Sequence, residues 1–277
     1  MRTITLTTDF GTVDGYVGVM KGVMLSIAPG IRLVDLSHEV PPQDVRRAAF
    51  MLYTAVSFFP PDTVHLAVVD PGVGTERRAI AVQVPQGFLV GPDNGLFTYI
   101  LAEAEEWRAV ELRDPAYWLP QVSGTFHGRD IFAPVAAHLA RGVPMEQLGP
   151  PVSDPVLLPL PRLEVREDRL EGEVLYIDRF GNVVTSIGRL RWAGNGLVLD
   201  AAFRRAAPSL RLAAAGAVVE IGRKAIQGVR RTYGEVPVGE SLALVGSIGF
   251  LEIAVRQGDA AHTLGVRPGD PVTFHLR

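Results

Sequence analysis

Hydrophobic and polar positions change rhythm along the chain, and each rhythm predicts an element. Residues 3–9 (TITLTTD) alternate and are rich in β-branched side chains, the period of a strand. Val17, Met20, Met24 and Ile27 then recur at helical spacing, and Pro29-Gly30 ends that helix. IRLVDLS predicts a second strand, and residues 41–61 a helix with proline at both ends. TVHLAVVD predicts a third strand, apolar almost throughout as a buried parallel strand requires. RAIAVQV and GFLVGPD predict a strand pair, and GRDIFAPVAAHLARG a helix closed by Gly142.

This alternation predicts an α/β domain over residues 1–150, with helices on the faces of a central, mostly parallel sheet. The proline-rich residues 151–163 predict a linker. From 164 to 277 the pattern becomes short strands punctuated by Gly, Asp and Pro, which predicts a smaller all-β, barrel-like domain. In open α/β sheets ligands bind beyond the carboxyl ends of the strands. Two predicted strands end there in aspartate, Asp9 and Asp70, each followed by a glycine-containing loop.

Composition narrows the chemistry. The 277 residues carry a net charge of −3 with no basic block, which argues against nucleic acid. There is no cysteine, which removes thiol nucleophiles, disulfides and Cys-based zinc sites and fits a reducing, cytoplasmic setting. No run of 18 apolar residues and no signal-peptide layout occurs, so neither membrane insertion nor export is expected. The chain has no GxGxxG, P-loop, GxSxG or HExxH pattern.

Polar residues concentrate in five segments. In TTDFGTVDGY, Asp9 has the acceptors for a ribose diol, and Asp14 could meet an ammonium, although its ordinary role there is a helix N-cap. In VVDPGVGTERR, Arg77 can fold back onto Asp70 as a bidentate pair, whose ordinary role is a structural salt bridge. Asp93-Asn94-Gly95 reads as a turn before a helix, mainly structural, that could also help shape a pocket floor. His127 and Gly128 precede a helix, where a histidine can act as a base, orient one, or merely cap. His127, Arg129 and Asp130 make only a loose metal-like cluster without ligand spacing. Asp178, Phe180 and Asn182 share one turn; an asparagine amide can read an adenine edge, although Gly181-Asn182 is also ordinary hairpin chemistry.

Taken together, TTDFG, VVDPGVGTERR, GPDNG, TFHGRDIFAP and DRFGN, in this order, resemble the S-adenosyl-L-methionine (SAM) hydroxide adenosyltransferase family, relatives of the fluorinases and chlorinases. The resemblance implies hydrolysis of SAM to adenosine and L-methionine by water attacking ribose C5′. It implies Asp70, Arg77 and His127 as the catalytic set. Asp9 would hold the ribose, and Asp14, Asp178 and Ser247 the methionine end. Asn182, with the backbone near Ile248 and Val255, would read adenine, with Phe180 and Tyr233 packed near the purine. Phe126 and Gly128 complete the implied substrate-binding set. No cofactor and no metal are implied, and the partner is the small-molecule substrate, in a homotrimer with its site at the subunit interface. Halogenating relatives have Tyr at Asp70, Ser at Gly128 and Trp at Gln43. A halide beside the Asp70 carboxylate would be repelled, so water suits the place better. A chlorinase-like halogenase, a non-catalytic adenosine or SAM binder and a metal-dependent nucleoside hydrolase remain as alternatives.

Overall fold

The computed structural model describes residues 2–203 and 209–276. The chain divides into two compact units, Met1–Pro159 and Leu160–Arg277.

In the first unit, β1 (Thr3–Thr8), β2 (Arg32–Ser37), β3 (Val64–Val68), β4 (Ala79–Val84), β5 (Gly87–Pro92), β6 (Arg108–Glu111) and β7 (Pro151–Val152) form one sheet in the order β2-β1-β3-β5-β4-β6-β7. Pairing is parallel from β2 to β5 and antiparallel beyond it. The switch has a local cause: only Pro85 and Gln86 join β4 to β5, and so short a link allows nothing but an antiparallel pair. Helices α1 (Tyr16–Ile27) and α4 (Ala133–Ala140) cover one face, and α2 (Val45–Ala55) and α3 (Thr98–Glu103) pack on the other.

Alternation along β3 supplies both cores. Val64, Leu66 and Val68 face Met20, Met24, Phe132 and Leu139, while Ala67 and Val69 face Ala48, Leu52 and Ile100. Each fully buried methionine or leucine here contributes roughly 1.5–3 kcal/mol. The chain leaves β1 toward β2 on one side, and β3 enters on the other. The carboxyl ends of β1 and β3 are therefore a topological switch point, where a crevice opens.

Residues 151–163, expected as a linker, are only partly free of the sheet. Pro151–Val152 pairs with β6, Val156 N–H donates to Asp93 Oδ1 at 2.7 Å, and Leu158 N–H donates to Thr98 Oγ1 at 2.8 Å. Proline limits strand length there but does not prevent edge pairing.

In the second unit, β8 (Leu163–Val165) pairs with β9 (Arg169–Ile177). β9 also joins β10 (Val183–Gly188), β14 (Val218–Ile221), β15 (Lys224–Gln227), β16 (Val229–Arg230), β17 (Ser241–Val245), β18 (Phe250–Val255) and β19 (Pro271–His275) in a sheet ordered β15-β14-β19-β9-β10-β18-β17-β16. Contacts between β15 and β17 nearly close it into a barrel. A separate small sheet holds β11 (Leu190–Ala193), β12 (Gly196–Leu199) and β13 (Leu210–Ala213). The unit is not wholly β: α5 (Ala260–Leu264) starts at Asp259, whose carboxylate caps His262 N–H at 2.8 Å. Five residues are too few for a helical period to show in sequence.

Candidate functional site

At the β1/β3 switch point the structure brings Asp70, Arg77 and His127 together. Asp70 lies two residues beyond β3, and Asn94 Nδ2 holds the neighbouring Val69 carbonyl at 2.9 Å. The 70–77 loop folds back through Gly74, at φ +77, where a Cβ would lie 2.4 Å from the Gly124 carbonyl oxygen. This turn returns Arg77 to Asp70. Arg77 Nε donates to Oδ1 at 2.9 Å and Oδ2 at 3.0 Å, and Nη2 donates to Oδ2 at 2.5 Å. The pair is nearly dry, with 5% of the Asp70 side chain and 11% of the Arg77 side chain exposed. The Arg77 guanidinium also lies over the Phe132 ring, 5.2 Å from its centre.

Arg77 Nη2 then reaches His127 Nδ1 at 2.9 Å. A guanidinium has donors and no acceptor, so Nδ1 must offer its lone pair and the neutral ring keeps its proton on Nε2. The nearby Ser123 backbone favours a proton on the ring. Burial first, and the Arg77 charge second, hold His127 below the ordinary histidine range. His127 stands at the entry to a π turn, Gly128–Phe132, in which Ala133 N–H bonds the Gly128 carbonyl. Such turns concentrate at functional sites because they re-aim the chain within a helix.

Asp70, His127 and Gly128 line a cavity of about 240 Å³ together with Phe10, Tyr16, Val68, Val73, Thr125 and Phe126. The rings of Phe10, Tyr16 and Phe126 pack mutually, with centres 5.2–5.9 Å apart. A Cβ at Gly128 would meet Phe126 at 3.2 Å and Phe10 at 3.4 Å, so glycine keeps this wall in place. Asp9 stands one residue beyond β1, and its Oδ2 accepts the Gln43 N–H at 2.8 Å. Gln43 takes φ +66 to present that N–H, strain of the kind that collects at functional sites.

Asp14 is exposed and does not cap α1; the cap position belongs to Gly15, which has no side chain to offer. Arg129 and Asp130 pair with each other, Nε to Oδ1 at 2.6 Å, and do not join His127 as ligands. Among the described residues no group of three or more His, Asp or Glu side chains could hold a metal ion.

Two family models cover the chain: the SAM hydroxide adenosyltransferase N-terminal domain matches residues 4–149 and the C-terminal domain residues 172–273. The chain belongs to the SAM hydroxide adenosyltransferase family. A curated relative from Thermus thermophilus, named (R)-S-adenosyl-L-methionine hydrolase, is 45% identical over 98% of this chain and 99% of its own. One of the same name from Salinispora tropica is 45% identical over 96% of this chain and 95% of its own. A fluorinase from an Actinoplanes species is more distant, 32% identical over 70% of this chain and 74% of its own. A crystal structure of an uncharacterized conserved protein from Thermotoga maritima superposes with a TM-score of 0.85 at 38% identity, covering 98% of this chain and 99% of its own.

The remaining candidates of this adenosyltransferase-family chain lie in the second unit. Asp178 closes the β9–β10 turn: Oδ1 accepts Phe180 N–H at 2.8 Å and Asn182 N–H at 2.9 Å, and Oδ2 accepts Asn182 Nδ2 at 3.0 Å. The turn is thus hairpin chemistry and also an orienting device for the Asn182 amide. Phe180 is 76% exposed. Ser247 and Ile248 form the β17–β18 turn, and Val255 ends β18. Tyr233 Oη donates to Glu252 Oε1 at 2.5 Å. Burial first, and the Asp178 charge after it, raise the Glu252 carboxyl above its usual range despite the tyrosine bond. Sequence reasoning missed Glu252, Phe10 and Tyr16. The first hides in the apolar run FLEIAV, and the two aromatics lie in TTDFGTVDGY, where the aspartates carried the chemical signal.

Proposed function

We propose that this protein hydrolyses S-adenosyl-L-methionine to adenosine and L-methionine, with water displacing the thioether from ribose C5′. The observation that carries the reading is the nearly dry Asp70–Arg77 pair, joined to His127 on the aromatic-walled cavity, in a chain of this family. The water oxygen bonds to C5′ as the C5′–S bond breaks, and the bonding pair stays on sulfur as a neutral thioether. The proton lost by water passes to an acceptor and then to solvent. His127 Nδ1 already receives Arg77. Asp70 Oδ1 keeps a free lone pair and Asp70 lines the cavity, so it is the acceptor in this reading. Arg77 orients Asp70, and His127 orients Arg77.

Alignment of the water can supply on the order of several kcal/mol. The aromatic wall of Phe10, Tyr16 and Phe126 suits a sulfonium cation. Asp9, aimed by Gln43, would hold the ribose hydroxyls. Asp178, Asn182, Phe180, Tyr233, Ser247, Ile248 and Val255 would hold adenine and methionine, with Asp14 added at the methionine end. A homotrimer with its site between copies, a cytoplasmic setting and catalysis without a cofactor belong to the same proposal. The uncovered Phe180 ring supports a neighbouring copy. No helix among the described residues is long and apolar enough to cross a membrane.

Incubation with SAM, with and without chloride or fluoride, followed by chromatography, tests the reading. Adenosine and methionine are expected in equal amounts, with no halogenated nucleoside. Asp70→Ala should lose more than about tenfold in turnover while adenosine still binds. Binding without any product in the unaltered protein would make it a sensor, and a halogenated product would move it to the halogenase branch.

A further inference from the structure

Asp130 is fully buried, and its hydrogen bonds run toward the reacting cluster. Its Oδ2 accepts Ser123 N–H at 2.8 Å, Ser123 Oγ–H at 2.7 Å and Arg129 Nη2 at 3.2 Å, and its Oδ1 accepts Arg129 Nε at 2.6 Å. Ser123 Oγ accepts Phe126 N–H at 3.1 Å, and the Asp130 carbonyl accepts Leu119 N–H at 2.9 Å. Residues 119–126 contain no helix or strand, so these bonds to one buried side chain and its backbone are what shape them. The same residues lead directly into His127 and bring Phe126 to the cavity wall.

We propose that Asp130 is a positioning residue for the reaction. Through Ser123 it holds His127 in the orientation and tautomer that accept from Arg77, and so fixes Arg77 against Asp70. The proposal rests on the SAM-hydrolase reading of this site. A carboxylate is needed because four protein donors, two from Ser123 and two from Arg129, converge on it. An asparagine would turn an N–H toward one of them and leave that donor unmet.

The charged groups facing His127 are Arg77, Asp70 and Asp130. Two consequences of losing Asp130 have opposite signs. If only its negative charge matters, Asp130→Asn leaves His127 harder to protonate, and the titration moves to lower pH. If Asp130 positions the segment, the ring escapes the burial and the Arg77 contact that hold it down, and the titration moves up toward the ordinary value.

The test measures kcat and KM for SAM against pH, adenosine-binding sites per chain, and the His127 titration by NMR of histidine-labelled protein, with His127→Gln assigning the resonance. In Asp130→Asn, kcat is expected to fall at least ~10-fold on the pH plateau with KM within ~3-fold. Adenosine stoichiometry should be retained, and the His127 titration should move to higher pH. A retained kcat, or a titration that stays put or moves down, would overturn the proposal. Ser123→Ala removes only the hydroxyl link and should move both readouts the same way by less, which decides the matter if Asp130→Asn does not fold. The NMR titration needs no turnover, so absence of adenosine from the unaltered protein would defeat the hydrolase reading separately.

Discussion

Arg77 shows how much one residue type decides. Its planar fork meets both Asp70 oxygens and still has an N–H for His127. A lysine has one ammonium on a flexible stem and cannot hold that arrangement. Arg77→Lys is expected to lower kcat by about 100-fold with KM changed only a few-fold, read by steady-state kinetics. A kcat within about threefold of the unaltered protein would remove the guanidinium from the mechanism. Sequence spacing showed that Arg77 could return to Asp70. It did not show that the guanidinium also fixes the His127 tautomer, because that contact spans fifty residues.

At the scale of elements, the site is assembled by two turns that touch, the 70–77 loop and the segment before the π turn. Gly74 is where they meet, with positive φ and no room for a Cβ beneath the Gly124 carbonyl. Gly74→Ala is expected to push the loops apart, costing on the order of 1–3 kcal/mol in stability. Turnover should fall about tenfold as Asp70 leaves its line, checked by urea unfolding and kinetics on the same preparation. β1 and α1 were legible because periods of 2 and 3.6 persist over six or more residues, and β3 because it is a continuous apolar run. The π turn was not, since GRDIFAP carries the composition of an ordinary helix start and only the backbone bonding differs. The proline-rich segment misled for a related reason: proline signals a break, while edge pairing depends on what lies alongside.

For the whole molecule, acid should loosen the fold through histidine. His65 is fully buried beside Phe59, and burial pushes its pKa down to about 4 from 6.5. Between these values the unfolded chain binds a proton that the native state refuses, so stability falls as pH drops from about 6.5 to about 4. The full depression corresponds to ~3 kcal/mol. Urea unfolding across that range should show the decline, and His65→Gln should make it shallower by about one proton's slope. An unchanged slope would mean that His65 titrates normally. The sequence by itself determined the change from α/β to β patterning, the aspartates Asp9 and Asp70 just beyond two strand ends, and the ordered strings that mark the family, because these depend on local period and on residue identity along the chain. Only the tertiary structure decided the half-parallel sheet, the aromatic wall, the buried Asp130 and Glu252, and the direction of the hydrogen bonds through His127. Those depend on which distant segments share a dry interior, where a donor must find its acceptor and a charge its partner.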